Sequence, residues 1–316
     1  MPYPIERKLV VGVSSNALFD MRKELSIFKN KGLEAFSKYQ EEKRDVVLNP
    51  GMAFPFIKRL LKINDSYKED MPVEVVLLSK NNPQTGIRVF NSIKQHGLNI
   101  SKAVFTSGKS PYHYMPAYNI CLFLSVNSTD VVNAIQAGYP AGKFVSTDVE
   151  DKEDDIELRV AFDFDGVIAD DNSERIYKES KDLDKFIEYE IEHIKKPHNP
   201  GPLAEFFKKL AFFQEFELKR KQEDVAYKKI LRTAIITARE APAHERAINT
   251  LSSWGVTVDE MFLMGGVDKS RVLNILKPHI YFDDQMVHLD SSRSKIPLVH
   301  IPFGVANKNI LASMVE

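Results

Sequence analysis

The chain has 316 residues, is 43% hydrophobic and carries a formal net charge of -1 with both signs interspersed. That length favours two domains over one, and the lack of a net positive field argues against a protein that collects on nucleic-acid backbones. One cysteine, Cys121, rules out an intramolecular disulfide; no apolar run approaches the roughly 20 residues that span a bilayer, and the N-terminal MPYPIERK lacks the apolar core of a secretion signal, so a cytoplasmic protein is expected.

Apolar runs of strand length alternate with helix-period segments along the chain. In order they are LVVGV from residue 9, VEVVLLS from 73, AVFTS from 103 and ICLFLSV from 120, then LRVAFD from 158, TAIITA from 233, MFLMG from 261 and IYFDD from 280. This alternation predicts an α/β fold with parallel sheets and crossover helices, with Cys121 as a buried strand thiol. Between the two sets, residues 148–157 read DVEDKEDDIE, mostly carboxylates and too poor in apolar side chains to enter a core. They are predicted as a linker between domains at 1–147 and 158–316.

The two halves read as copies of each other. An offset of 150 lays VGVSSNALFD (11–20) over AFDFDGVIAD (161–170) and Asn49-Pro50-Gly51 over Asn199-Pro200-Gly201 without a gap. An offset of 158 lays RVFNSIKQHGLNI (88–100) over RAINTLSSWGVTV (246–258), and one of 160 lays GKS (108–110) over DKS (268–270). Shared prolines, asparagines and helix-ending glycines are not a coincidence of apolar composition, so a duplicated α/β domain is expected.

Ligands of parallel sheets gather beyond the carboxyl ends of the strands, so the residues where each run stops carry the functional expectation. In the second half these are Asp163 and Asp165 before Gly166, Thr237, Lys269 after MFLMGG, and the pair Asp283-Asp284. Taken singly, each also reads as a solvated turn, a structural threonine, a surface lysine or a helix-capping pair. Taken together, carboxylates converging on one rim would repel one another unless a hard cation neutralised them, and Mg²⁺ with a substrate phosphate suits such a site.

This ordered set, Asp163-Phe-Asp165-Gly-Val, Thr237, Lys269 and Asp283-Asp284, resembles the four motifs of the haloacid dehalogenase superfamily. The resemblance implies two tandem related parallel-sheet domains of that type, with a helical cap inserted after the first motif strand. It further implies that Asp163 attacks phosphorus, and that Asp165 protonates the leaving oxygen and later deprotonates water. Thr237, Ala238, Arg239 and Lys269 would bind the phosphate, and Asp163, Asp165 (through a nearby backbone carbonyl) and Asp283 would hold Mg²⁺, with Asp284 as the outermost ligand. From Asp163 to Thr237 the chain runs well past a plain crossover, so a cap is expected at about 171–230. Its aromatic residues, including Tyr177, Phe186, Phe206 and Phe213, are expected mostly in the insert's own core, with one or two against a base.

More closely, VSSNALFD, NPGMAFPFIKRLL, SKNNPQTGIRVFNSI, ELRVAFDFDGV and PHIYFDDQM resemble the cytosolic 5'-nucleotidase I family. That resemblance implies Mg²⁺-dependent hydrolysis of nucleoside 5'-monophosphates, with AMP the expected substrate. Two alternatives stand beside it: a phosphatase or phosphomutase for another small phosphate ester, and a nucleotide-sensing protein without activity. In the first half the offsets bring Val13 and Ser15 under Asp163 and Asp165, and Phe123 and Leu124 under the acidic pair, which removes the chemistry. Ser79 and Lys109 fall where Thr237 and Lys269 fall. Ser79, Lys80, Asn81 and Lys109 therefore make up an expected auxiliary or regulatory nucleotide site, set against a first half that lends loops to the active pocket or is purely structural. The partners expected are a nucleotide substrate, a nucleotide effector and further copies of the chain, with no nucleic acid and no membrane.

Overall fold

The computed structural model of the chain describes residue 5 and residues 8–67, 71–146, 148–152 and 154–312. Residues 1–4, 6–7 and 313–316 at the expected domain ends, and 147 and 153 at the expected linker, lie outside the described residues. The first half runs β1 (Leu9–Val13), α1 (Ser15–Leu18), α2 (Arg22–Glu42), α3 (Phe54–Ser66), β2 (Val73–Ser79), α4 (Pro83–Gln95), β3 (Lys102–Phe105), β4 (Leu122–Ser125), α5 (Ser128–Gln136) and β5 (Ala141–Phe144). The second runs β6 (Leu158–Phe162), α6 (Asn172–Ser180), α7 (Leu183–Glu192), α8 (Ala204–Glu223), β7 (Leu231–Thr237), α9 (His244–Ser253), β8 (Glu260–Leu263), α10 (Ser270–Leu276), β9 (Ile280–Asp283) and β10 (Leu298–His300), and closes with α11 (Lys308–Ala312). β1 and β2 are buried at every position, as continuous apolar runs are when helices cover both faces of a parallel sheet.

All ten strands belong to one sheet in the order β3-β2-β1-β4-β5-β10-β9-β6-β7-β8. Read outward from the centre, the halves repeat one strand order. They meet where β5 and β10 pair antiparallel, Lys143 opposite His300 and Phe144 opposite Val299; every other pair among the described strands is parallel. Lys143 and His300 are themselves equivalents, since each is the partner of the last residue of β4 (Ser125) or β9 (Asp283). A residue facing its own equivalent marks a two-fold axis. Phe56 and Phe206, 150 residues apart and both fully buried, meet edge to face with ring centres 6.5 Å apart on the same axis. The largest cluster of buried apolar side chains runs through both halves, so the copies share one sheet and one core where two sheets were expected.

Two details of the repeat differ from the ungapped alignment. Leu9 N–H bonds Pro72 and Ser14 N–H bonds Leu124, just as Leu158 bonds Ile230 and Asp163 bonds Phe282, which sets the strand offset at 149 (158 over 9). Beyond the turn, Gly51 N–H bonds Leu18 as Gly201 bonds Ile168, an offset of 150. The turn after β1 is thus one residue shorter than the turn after β6, and Asp163 corresponds to Ser14, not Val13. Likewise Ser125 Oγ accepts from Asn127 N–H as Asp283 Oδ1 accepts from Gln285 N–H, so Asp283 corresponds to Ser125 and not to Phe123.

The helices expected as a cap also have counterparts in the first half. Gly32, with φ +81°, breaks α2 into two pieces that lie over α6 and α7, and α3 lies over α8. Phe206, Phe207 and Phe213 of α8 are buried in the shared core, so α8 is the crossover helix of β6 and β7. The segment over the site is the α6–α7 hairpin, which brings Tyr177 and Phe186 to a cavity. The acidic stretch between the halves stays on the surface but is tied down: Arg59, buried on α3, reaches Asp151 and the carbonyls of Lys152 and Asp155. No described helix is long and apolar enough to cross a membrane.

Candidate active site

The carboxyl ends of β6, β7 and β9 deliver Asp163, Thr237 and Asp283 to one edge of the sheet, and the residue before α10 delivers Lys269. Lys269 Nζ lies 3.0 Å from Asp163 Oδ1 and 2.8 Å from Asp283 Oδ2, and all three side chains are buried. Asp283 Oδ2 also accepts from Tyr281 Oη and lies 3.2 Å from His288 Nδ1. Gly166, with φ +72°, turns the chain after Asp165 close beside Asp284; a β-carbon there would sit 2.7 Å from the Asp284 carboxyl carbon. Both Asp284 carboxylate oxygens are buried without a hydrogen-bond partner, while its carbonyl is held by His300 and Asn307.

Three carboxylates thus face a single ammonium. Burial would lower the Lys269 pKa, but Asp163 and Asp283 outweigh it and keep the amine charged. Burial also works against Asp283, yet Lys269 and His288 hold its carboxyl below the ordinary range. Asp163 is pushed up to about 7 by burial, Lys269 opposing and Asp283 and Asp165 adding to it, and Asp284 is pushed up to about 10 by burial and by Glu174, Asp283 and Asp163. The surplus negative charge is what a bound cation would relieve. Asp163, Asp283 and His288 each offer a ligand atom, all within 4.8 Å of one another; Asp284 stands outside that group but feels the charge of Asp163 and Asp283. This carboxylate-rich donor set fits a hard divalent ion.

Asp165 does not point into this cluster. Arg239 grips it through two bonds of 2.7 Å, and the same guanidinium reaches Glu190, the Ala243 carbonyl and His198. Asp165, Glu190 and the Ala243 carbonyl take four of the five Arg239 side-chain donors, and the Arg239 backbone N–H donates to Thr237 Oγ1 at 3.2 Å. Arg239, expected as a phosphate ligand, lines the cavity and is buried with its guanidinium on Asp165. Glu190 on α7 also accepts from Arg246 at 2.9 Å and from Ser173 on α6, so one buried carboxylate ties the hairpin to the sheet. Glu190, His198 and His288 stand in none of the sequence motifs; the one signal for them is the aligned pair Arg88 and Arg246, for Arg88 bonds Glu24 and Gln40, the equivalents of Glu174 and Glu190.

The cavity above the cluster has a volume of about 370 Å³. Asp163, Asp165, Thr237, Ala238 and Lys178 line it together with Tyr177 and Phe186, and every lining residue belongs to the second half. The first half does not lend it loops, because antiparallel pairing at the centre turns the carboxyl ends of its strands to the opposite edge of the sheet. Its own strand ends, with Ser79, Lys80 and Asn81, line a separate cavity of about 540 Å³. Lys109 is exposed and outside that cavity; its N–H bonds Thr106 as Val267 N–H bonds Met264, so it corresponds to Val267, and Lys269 has Pro111 opposite it.

A mostly parallel sheet with paired acids, a hydroxyl and a lysine at its strand ends fits an α/β fold of the haloacid-dehalogenase type. The chain belongs to the 5'-nucleotidase family, whose model matches residues 1–308. Human cytosolic 5'-nucleotidase 1B is 35% identical over 300 residues, covering 92% of this chain and 48% of that protein. The chain therefore spans about half the length of this curated relative. No solved structure gives a significant match.

Proposed function

We propose that the protein is a Mg²⁺-dependent phosphoric monoester hydrolase that converts nucleoside 5'-monophosphates, AMP among them, to nucleoside and phosphate. The observation that carries this is the buried Asp163–Lys269–Asp283 cluster with the unpartnered Asp284 next in the chain, at the strand ends of a chain of the 5'-nucleotidase family. Both contacts to Asp163, from Lys269 and from the Phe164 N–H, fall on Oδ1, so Oδ2 is the oxygen assigned to attack phosphorus. The new Asp163–phosphorus bond forms as the bond to the nucleoside O5' breaks, and Asp165 gives that oxygen its proton. Water then attacks phosphorus, Asp165 takes its proton, and phosphate leaves with Asp163 restored. Lys269 and Thr237 balance charge on the phosphoryl oxygens, the largest task in this chemistry. Asp163, Asp283, Asp284 and the backbone near Asp165 would hold Mg²⁺, which when bound draws charge from the phosphoryl group.

Tyr177 and Phe186, on the hairpin wall of the cavity, support a flat base beside the phosphate and so favour a nucleotide over a sugar phosphate. A cytosolic location rests on the name of the human relative. The test is release of phosphate from a panel of nucleoside monophosphates and sugar phosphates with and without Mg²⁺. Nucleotide turnover that disappears with chelator is expected, together with a loss of about 10²- to 10⁴-fold in kcat for Asp165→Asn. Equal turnover of sugar phosphates would overturn the substrate class, and undiminished activity of Asp163→Asn would overturn the nucleophile.

A further inference from the structure

The first half keeps a cavity where the second keeps its active site, yet has exchanged the charges around it. Under the hydrogen-bond register, Asp163 is replaced by Ser14, Thr237 by Ser79, Arg239 by Asn81, Lys269 by Pro111 and Asp283 by Ser125. One cation remains on the floor, Lys80, and it is paired at 2.8 Å with the buried Asp130, which also accepts from Ser110. The floor is therefore electrically neutral but rich in hydrogen-bonding groups. Ser15 and Ser79 hydroxyls touch at 3.1 Å, and the Asn81 side-chain amide nitrogen is buried there without a partner. A buried donor left without a partner is costly.

The wall has changed in the opposite sense. At the two helical positions where α6 carries Arg175 and Lys178, α2 carries Leu25 and Phe28, and Leu33 and Phe36 continue the surface. Phe28 is 46% and Leu33 62% exposed, large apolar side chains held against the mouth of a polar-floored cavity. The arrangement suits a ligand with a flat apolar ring at one end and uncharged hydroxyls at the other. With its lysine already paired to Asp130, the floor has no free charge to set against a phosphate dianion or a metal.

We infer that the first-half cavity is a non-hydrolysing binding site for an uncharged nucleoside, the chemical class of the product released by the second half. The choice of a nucleoside among neutral ring-bearing polyols rests on the activity proposed above. Because the two cavities open at opposite edges of the sheet, a nucleoside held here leaves the active cavity open.

Hydrogen exchange on the unaltered full chain tests this with adenosine and inorganic phosphate as separate probes, while nucleotide hydrolysis by the same preparation reads the second half independently. At an adenosine concentration 100 times its dissociation constant, openings of α2 that release the ligand become rarer by about 100-fold. Slowed exchange in residues 22–42 and 79–85 with adenosine, and none with phosphate, is expected. Phe28→Asp combined with Leu33→Asp, both exposed, should abolish that protection while hydrolysis is unchanged. Protection confined to the second half, protection of 79–85 by phosphate alone, or adenosine protection that persists in the double variant would each overturn the assignment.

Discussion

Gly166 shows how tightly one position governs the site. Its φ of +72° is readily reached by glycine, and a methyl group there would press on the Asp284 carboxylate from 2.7 Å. Gly166→Ala is therefore expected to raise the Mg²⁺ concentration for half-maximal activity by about 10- to 100-fold, read from a metal titration of turnover. Asp163 makes the reverse point. Burial and its acidic neighbours push its pKa up to about 7, so its ionised form is a load on the metal-free fold. A raised carboxyl pKa means that stability falls as pH climbs from about 4 towards 7. In chelator at pH 8, Asp163→Asn should melt at a higher temperature than the unaltered chain, by the equivalent of about 1 kcal/mol or more.

At the scale of elements, the α6–α7 hairpin depends on Glu190. Burial opposes its ionisation, but His198, Arg239 and Ser173 outweigh that and hold its carboxyl well below the usual glutamate range. Glu190→Gln installs the amide that the first half carries at Gln40 but leaves Arg239 and Arg246 buried without their shared carboxylate. A loss of about 3 kcal/mol in urea unfolding is expected. Because the folded pKa is depressed, this contribution is complete above the ordinary glutamate pKa of about 4.3 and is lost as pH falls below it. The difference between Glu190→Gln and the unaltered chain should accordingly be constant from pH 5 upward and shrink in more acidic solution. Since Arg239 also holds Asp165, the same variant should lower kcat more than it raises KM.

For the whole molecule, the β5–β10 joint decides whether the halves behave as one body. Gly142 lies where a β-carbon would come within 2.4 Å of Val299 Cγ1, so the two strands approach more closely than a side chain allows. Gly142→Val should cost about 1–3 kcal/mol by overpacking. The shared core predicts one transition for both halves, with Trp254 fluorescence from the second half and far-ultraviolet circular dichroism from the entire chain coinciding in urea. Separate transitions would show that the axis contacts, Phe56 on Phe206 among them, do not couple the copies.

Sequence alone was sufficient for the eight long apolar runs, the duplication and the four strand-end positions of the active copy. Strand periodicity, chain order and residue chemistry are local properties, and Asp163, Thr237, Lys269 and Asp283 all stand where their apolar runs end or a helix begins. β5 and β10 escaped that reading, because AGKF and LVH are too short and too mixed to carry a period, and the single sheet escaped with them. The deletion in the turn after β1 was equally hidden, since only hydrogen-bond register separates an offset of 149 from one of 150. Tertiary structure alone decided that Arg239 bonds Asp165, that Lys109 stands outside its cavity and that the two cavities face opposite edges. Each of these follows from where side chains converge across residues far apart in the chain, which spacing along the sequence does not encode.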